Sequence, residues 1–331
     1  MITALNDQIK KTKKLDHIFK QGNNILAAFL VKQGDNISVV SLGVGHTCLP
    51  DSIIAESPDD VLHDHHAEIL AKRGLVRFLV DEIEKLDSSI DYPSLILQKN
   101  SGAASMKKFK QHDLRGDIPS SSFVKRGRSS WDDLQSLRTK PGRVDSPFSS
   151  CMSCSDKIGL WNLLGIQSEL LYPLTGPIFV DHIVIGCDID NDFFMFSIFG
   201  RFKTEVELLG REISFRIPGV KSVGSSQCVC PHNDNLVFSS LSANWYTGVE
   251  LEITTSIGRK LGAAKKQGEY PKSTRSRLCR SSIRDKVNAV LSGKSLISIA
   301  NEYTFGKALI RSKGDLMRHW LIRDSLKQID L

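Results

Sequence analysis

Apolar and polar residues alternate along this chain with two periods, near two and between three and four, and the switches between them mark its expected elements. The runs ILAAFLV (25–31) and ISVVSLG (37–43) are strand-like, and KQGDN between them supplies Gly34 and Asn36 for a hairpin turn. A long amphipathic helix is expected from about Asp64 to Leu86, where Ile69, Leu70, Leu75, Val76, Leu79, Val80, Ile83 and Leu86 recur at helical steps. SLILQ (94–98) and IFVDHIVIG (178–186) read as strands, and SDKIGLWNLLGIQSELLY (155–172) as a second helix capped by Ser155 or Asp156. DFFMFSIFGRFKTEVELLG (192–210) and the C-terminal 40 residues read as helical, NLVFSSLSANW (235–245) and VELEITTSI (249–257) as strands. Strands alternating with helices predict an α/β layer architecture. With no internal repeat and no long linker, a single domain over 1–331 is expected.

Charge changes this picture in two places. Residues 99–143 hold 11 Lys and Arg against 4 Asp, and residues 259–284 hold 9 against one Glu, so the net +7 is concentrated in two segments rich in Ser and Gly. The first is read as a basic loop insert over about 99–150. Two such segments suit a surface for a polyanion, although solvated loops would have the same composition. The N-terminus lacks the apolar stretch of a signal peptide, and no run approaches the ~18 apolar residues that span a bilayer. A cytoplasmic or nuclear protein without a membrane partner is therefore expected. In a reducing compartment the seven cysteines are metal ligands, catalytic groups or small core residues.

The candidate chemistry sits at two expected helix starts. In DVLHDHHAEIL, His66 and Glu68 stand two apart at the mouth of the first helix. That spacing lets an imidazole ligate a metal while the carboxylate reaches a metal-bound water, as in the zinc nucleobase deaminases, and zinc brings such a water to a pKa of about 7. A histidine in a first helical turn is also commonly a cap or a solvated residue. In CMSCSDKIGLW, Cys154 directly precedes the second helix, whose positive end favours a thiolate. CVCPH (228–232) offers Cys228, Cys230 and His232 as a separate metal site or as an incidental pairing.

LHDHHAEILAKRGLVRFL, RTKPGRVDSPFSSCMSCSDKIGLWNLLGIQSELL and SANWYTGVELEITTSIGRKLGAAKK, taken in order, resemble the editase family of adenosine deaminases, most of all its tRNA-specific branch (type 1). The resemblance runs nearly end to end. It implies a cytidine-deaminase-like layered fold, with a mixed central sheet flanked by helices. It further implies a zinc histidine at His66, a proton-shuttling glutamate at Glu68 and a zinc cysteine at Cys154. The family's other cysteine lies in a Pro-Cys-Gly-Asp-Ala-Ser run, where this chain has NSGAASM. Ser101 thus occupies the ligand position, with Asn100 and Ala103 in place of the proline and aspartate. A thiolate binds zinc as an anion, whereas a hydroxyl stays protonated near neutral pH and is a poor ligand. Cys151, three residues before Cys154, is the one substitute that the spacing offers.

The resemblance also implies a buried inositol hexakisphosphate, held here by Lys72, Arg73, Lys157, Tyr303, Lys307 and Trp320. Leu160 stands where the family has a further arginine. Without the family, Lys72, Arg73 and Arg77 would read as the solvated face of a helix. Arg126, Arg128, Lys140 and Arg143 are the expected RNA contacts, with tRNA or another structured RNA as partner. The activity implied is hydrolytic deamination of the adenosine 3′ of the anticodon, or, with the zinc site lapsed, RNA binding alone.

Overall fold

The computed structural model describes residues 1–12, 14–20, 24–88, 93–100, 103–105, 124–126, 136–140, 146–209, 216–224, 239–291 and 302–321. In chain order the elements are α1 (Ile2–Lys11), α2 (Leu15–Lys20), β1 (Leu26–Gln33), β2 (Asn36–Val44), α3 (Asp51–Glu56), α4 (Ala67–Ser88), β3 (Gln98–Asn100), β4 (Ala103–Ser105), β5 (Lys125–Arg126) and β6 (Arg138–Thr139). They continue with α5 (Cys154–Leu164), α6 (Tyr172–Thr175), β7 (His182–Ile185), α7 (Asn191–Ile198), α8 (Lys203–Leu209), β8 (Gly219–Ser222), β9 (Ser242–Tyr246), β10 (Glu252–Thr254), α9 (Arg280–Leu291) and α10 (Glu302–Lys313). Two compact units result: Met1–Leu97 with Cys228–Ser295, and Gln98–Gln227 with Leu296–Leu331.

The first unit is built on a four-stranded sheet in the order β1-β2-β9-β10. All three pairings are antiparallel, with Leu26 opposite Val44, Val44 opposite Ala243 and Ile253 opposite Ala243. The expected hairpin is present, and Gly34 takes a φ of +57° in its turn. Strand β2 is covered on both faces, which is why its sequence is apolar almost without alternation. Leu42 and Val44 join a core with Ile9, Leu15, Ile18 and Ala243. Ser41 turns the other way and donates to the Ala71 carbonyl of α4 at 2.9 Å. Beside it a side chain on Gly43 would meet Ala71 N and Leu70 Cβ at 2.6 Å, so a glycine here lets the first turns of α4 lie close on the strand.

The α/β layering agrees with the sequence reading, but the four-stranded sheet is antiparallel rather than mixed. Its strands come as two hairpins, β1-β2 and β9-β10, whose inner members also run antiparallel. Parallel pairing among the described residues is confined to β5-β6 and β7-β8 in the second unit. The expected strand at 94–98 is replaced by a turn up to Leu97. Ser94 Oγ donates to Glu82 at 2.6 Å and accepts from Leu97 N at 3.1 Å, a local side-chain bond that competes with ladder pairing.

In the second unit α5 packs against α7, α8 and α10 around Leu137, Leu163, Phe202, Tyr303 and Ile310. A Cβ on Gly159 would meet Phe202 Cζ at 2.7 Å, which fixes where α5 and the following helices touch. The helix expected over 155–172 stops at Leu164, where Gly165 takes a φ of +90° and returns its N–H to the Trp161 carbonyl at 2.8 Å. The expected 192–210 helix is present as α7 and α8 with a 3-10 turn between them. Of the C-terminal 40 residues, α10 is helical, while 292–301 and 322–331 lie outside the described residues.

Candidate functional site

Helix α4 starts at Ala67 because the chain before it is held extended. Leu49 N donates to the His63 carbonyl at 2.8 Å, His65 N to Thr47 at 2.8 Å and Ala67 N to Gly45 at 3.0 Å. This pins His66 at the helix mouth, where Asp64 Oδ1 accepts from His66 N at 3.0 Å. The same oxygen lies 2.8 Å from His66 Nδ1, and the Thr47 carbonyl lies 3.1 Å from it. Both neighbours of Nδ1 only accept, so Nδ1 carries a proton, and Nε2 is the nitrogen that a metal would use. That is the tautomer of a metal-binding imidazole whose other nitrogen is oriented by a carboxylate. Asp64 is 5% exposed and His66 21%, so the carboxylate is buried and the imidazole partly exposed. Glu68 is partly buried one residue into the helix.

The histidines beside it are held neutral. Burial lowers the His65 pKa to about 4, with His66 adding to the shift and Asp64 opposing it. Burial, then His66, also lowers His46.

The second helix start is built the same way. Lys140 N donates to the Cys151 carbonyl and Ser153 N to the Arg138 carbonyl, each at 2.7 Å, so residues 138–140 run beside 151–153. Ser153, not Ser155 or Asp156, is the N-cap, its Oγ accepting from Asp156 N at 3.1 Å. Asp156 points back into the unit, where it pairs with Arg201 and accepts from Arg138 N at 2.8 Å. Arg201 is further tied to the Ser197 and Ser136 carbonyls at 2.7 and 3.0 Å. This buried pair locks the turn that presents the two thiols. Lys140 Nζ donates to Cys154 Sγ at 3.2 Å, and Lys157 Nζ to Cys151 Sγ at 3.0 Å. An ammonium against each sulfur, together with the helix N-terminus, favours the thiolate form.

The remaining expected site residues fall into four groups. Ser101, Arg128 and Arg143, with the CVCPH segment, lie outside the described residues; Arg126 is described only as backbone in β5. Lys140, expected among the RNA contacts, is 6% exposed against Cys154. Of the residues expected around an inositol phosphate, Lys72 and Arg73 lie in the first unit and Lys157, Tyr303, Lys307 and Trp320 in the second. Tyr303 and Lys307 share one face of α10. Tyr303 meets Tyr172 at 5.9 Å between ring centroids, and Lys307 lies 5.9 Å from the Tyr303 ring and 3.3 Å from Glu169 Oε2. Trp320 packs on the same core.

Lys72, Arg73 and Arg77 do not form a solvated face. Lys72 is 6% exposed, Arg73 Nε donates to the Leu278 carbonyl at 2.5 Å and Arg77 to Ser282 at 2.9 Å. Burial, then Arg280, lowers the Arg73 pKa to about 10, which leaves it a cation at neutral pH.

Sequence reasoning missed Asp64, Lys140 as a thiol partner, and Arg201. Asp64 had a readable signal, an acid two residues before a helix-start histidine. Arg201, 45 residues from Asp156 in sequence, had none. Among the described residues, no group of three or more His, Cys, Asp or Glu side chains is gathered to hold a metal ion, and no helix is long and apolar enough to cross a membrane.

A family model described as the adenosine-deaminase (editase) domain matches residues 41–112 and 87–313. The tRNA-specific adenosine deaminase 1 of Drosophila melanogaster is 33% identical over 178 residues, covering 45% of this chain and 44% of the relative. Its counterpart in Saccharomyces cerevisiae is 30% identical over 186 residues, covering 46% of each. The Drosophila double-stranded RNA-specific editase Adar is 23% identical over 276 residues, covering 72% of this chain and 40% of the relative. The chain spans less than half the length of each of these three relatives.

Proposed function

The chain belongs to the adenosine-deaminase (editase) domain family, and from that membership we propose that it acts on tRNA, converting the adenosine 3′ of the anticodon to inosine at a zinc site weakened by Ser101. The observation that carries the reading is the His66 arrangement, in which Asp64 and the Thr47 carbonyl hold Nδ1 and leave Nε2 to bind. Relatives named for tRNA-specific deamination support tRNA as the substrate class.

Zinc deaminases use a histidine and two cysteines. His66 fits such a ligand by tautomer, and Cys154 by its lysine partner and its place at a helix N-terminus. Ser101 does not fit by donor chemistry, since its hydroxyl is neutral where a thiolate supplies charge. When bound, zinc supplies an activated water. The chain's own residues would do the rest: His66 and Cys154 would hold the metal, Asp64 would fix the imidazole, and Glu68 would take a proton from the water and deliver one to the departing amine. Lys72 and Arg73 in the first unit, and Lys157, Tyr303, Lys307 and Trp320 in the second, are the contacts proposed for an inositol hexakisphosphate. The expected RNA contacts are Arg126, Arg128, Arg143 and Lys140, the last of which is tied to Cys154.

A second reading, an editase fold retained for RNA binding with catalysis lapsed, is favoured by Ser101 itself. Inosine formation on tRNA separates the two. The first expects slow turnover that Glu68→Gln removes, by a factor of about 10²–10⁴, with zinc content unchanged. Tight tRNA binding with no inosine at any zinc concentration supports the second.

A further inference from the structure

Nine residues along α4 from Glu68, roughly 14 Å at the helical rise, the first unit carries a cavity of about 520 Å³ to which the deaminase reading assigns nothing. Arg77, Lys260 and Arg277 line it against a single carboxylate, Glu252. That carboxylate takes its shorter hydrogen bonds from Asn244 Nδ2 at 3.0 Å, Ser276 Oγ at 2.5 Å and the Arg277 backbone N–H at 3.1 Å. Its ion pairs to the cavity cations are longer, 3.4 Å to Arg277 Nε and 4.0 Å to Lys260 Nζ. Glu252 therefore holds the cations in place without exhausting their donors, since a guanidinium has five N–H groups and an ammonium three. Arg77 Nε is buried with no hydrogen-bond partner. Its guanidinium is held by the Ser282 carbonyl, 2.9 Å from Nη1, which fixes its charge at the cavity wall.

The rest of the wall is apolar. Val249, Leu251 and Ile253 line it, Tyr246 is 2% exposed with the Arg277 guanidinium 6.0 Å from its ring centroid, and Leu261 stands at the lining 56% exposed. An exposed leucine beside three cations suits a ligand with a flat apolar part and an anionic part.

We propose that this cavity is a nucleotide-binding site, taking a phosphate on Arg77, Lys260 and Arg277 and a nucleobase against Leu261 and its apolar neighbours. The inference stands apart from the deaminase reading. The nucleotide is either a free mononucleotide or one unit of an RNA strand, and two probes separate these: adenosine monophosphate and folded tRNA, each titrated against the full chain by calorimetry. Lys260→Gln removes one charge, and Leu261→Asp places a carboxylate among the cations. Both positions are open enough to leave the melting temperature unchanged. Lys272→Gln, an exposed lysine of the same basic segment outside the cavity, is the control.

Adenosine monophosphate binding that weakens about tenfold in both cavity variants, the worth of one charge-assisted contact, and not in the control supports a free nucleotide. No mononucleotide binding, with tRNA affinity falling about tenfold in both cavity variants alone, supports a strand nucleotide. The proposal is overturned if neither probe responds, or if tRNA affinity falls equally in all three variants, which would be general surface charge.

Discussion

The starts of α4 and α5 solve the same problem with opposite chemistry. Each follows a stretch paired to a neighbouring segment, and each presents candidate ligands at a helix mouth. At α4 the groups around the ligand accept, Asp64 and the Thr47 carbonyl on His66 Nδ1. At α5 they donate, Lys140 on Cys154 and Lys157 on Cys151. Acceptors at Nδ1 orient the imidazole, whereas ammonium donors at sulfur favour a thiolate. The two helix mouths thus prepare their candidate ligands by orientation in one case and by charge in the other.

Breaking the α5 side has the largest expected effect. Asp156→Ala leaves Arg201 a buried charge without its carboxylate and frees Arg138 N, so the second unit should lose about 3–5 kcal/mol by chemical denaturation. A loss below about 1 kcal/mol would mean the pair does not lock the cysteine turn. On the α4 side, Asp64→Ala should lower zinc affinity by roughly 10–100-fold through loss of the imidazole's orientation, while the melting temperature changes less than in Asp156→Ala. Zinc affinity equal to the parent's would show that the Thr47 carbonyl alone fixes the tautomer.

The smallest effect concerns Glu205 of α8, whose Oε1 accepts from Leu316 N and Met317 N at 2.8 Å. Burial raises its pKa despite those bonds. A carboxylate raised in the folded state binds more protons folded than unfolded, so its contribution is present in acid and is lost as pH rises through the folded value. Glu205→Gln keeps an acceptor for both amides and removes the charge. Relative to the parent it should therefore melt higher at pH 7.5 than at pH 5; an equal difference at both would exclude the ionisation.

Much of this was legible in the sequence, for reasons that differ by region. The hairpin and α7 are marked by continuous apolar runs and α4 by its helical period, and their cores follow from those patterns. HAE at one helix start and SCSD at another placed the candidate ligands because local spacing decides them. What failed was set by contacts distant in sequence or by competing local bonds. The second helix was read too long because Ile166 and Leu171 are apolar yet buried outside any helix beyond Gly165. For the basic segment 259–284 the composition left polyanion surface and solvated loops both open, and it could not show that Arg275 is paired with Asp60, Arg284 with Asp59 and Arg277 with Glu252, or that Arg259 is 3% exposed and stacked 4.4 Å from Tyr270. Its exposed cations are mainly lysines 265, 266 and 272. Composition counts charges and cannot see which acids meet them.

The central proposal is that His66 and Cys154 are zinc ligands and that Ser101 stands where the second thiolate would be. Zinc content of the purified protein, measured beside Ser101→Cys, tests it most directly. The account predicts substoichiometric zinc in the unmodified chain, rising toward one per chain once the thiolate is restored, because three protein ligands and a water complete a tetrahedral site. One zinc per chain in the unmodified protein, unchanged by Ser101→Cys, would contradict it, and loss of that zinc in Cys151→Ser would show which sulfur had taken the missing place.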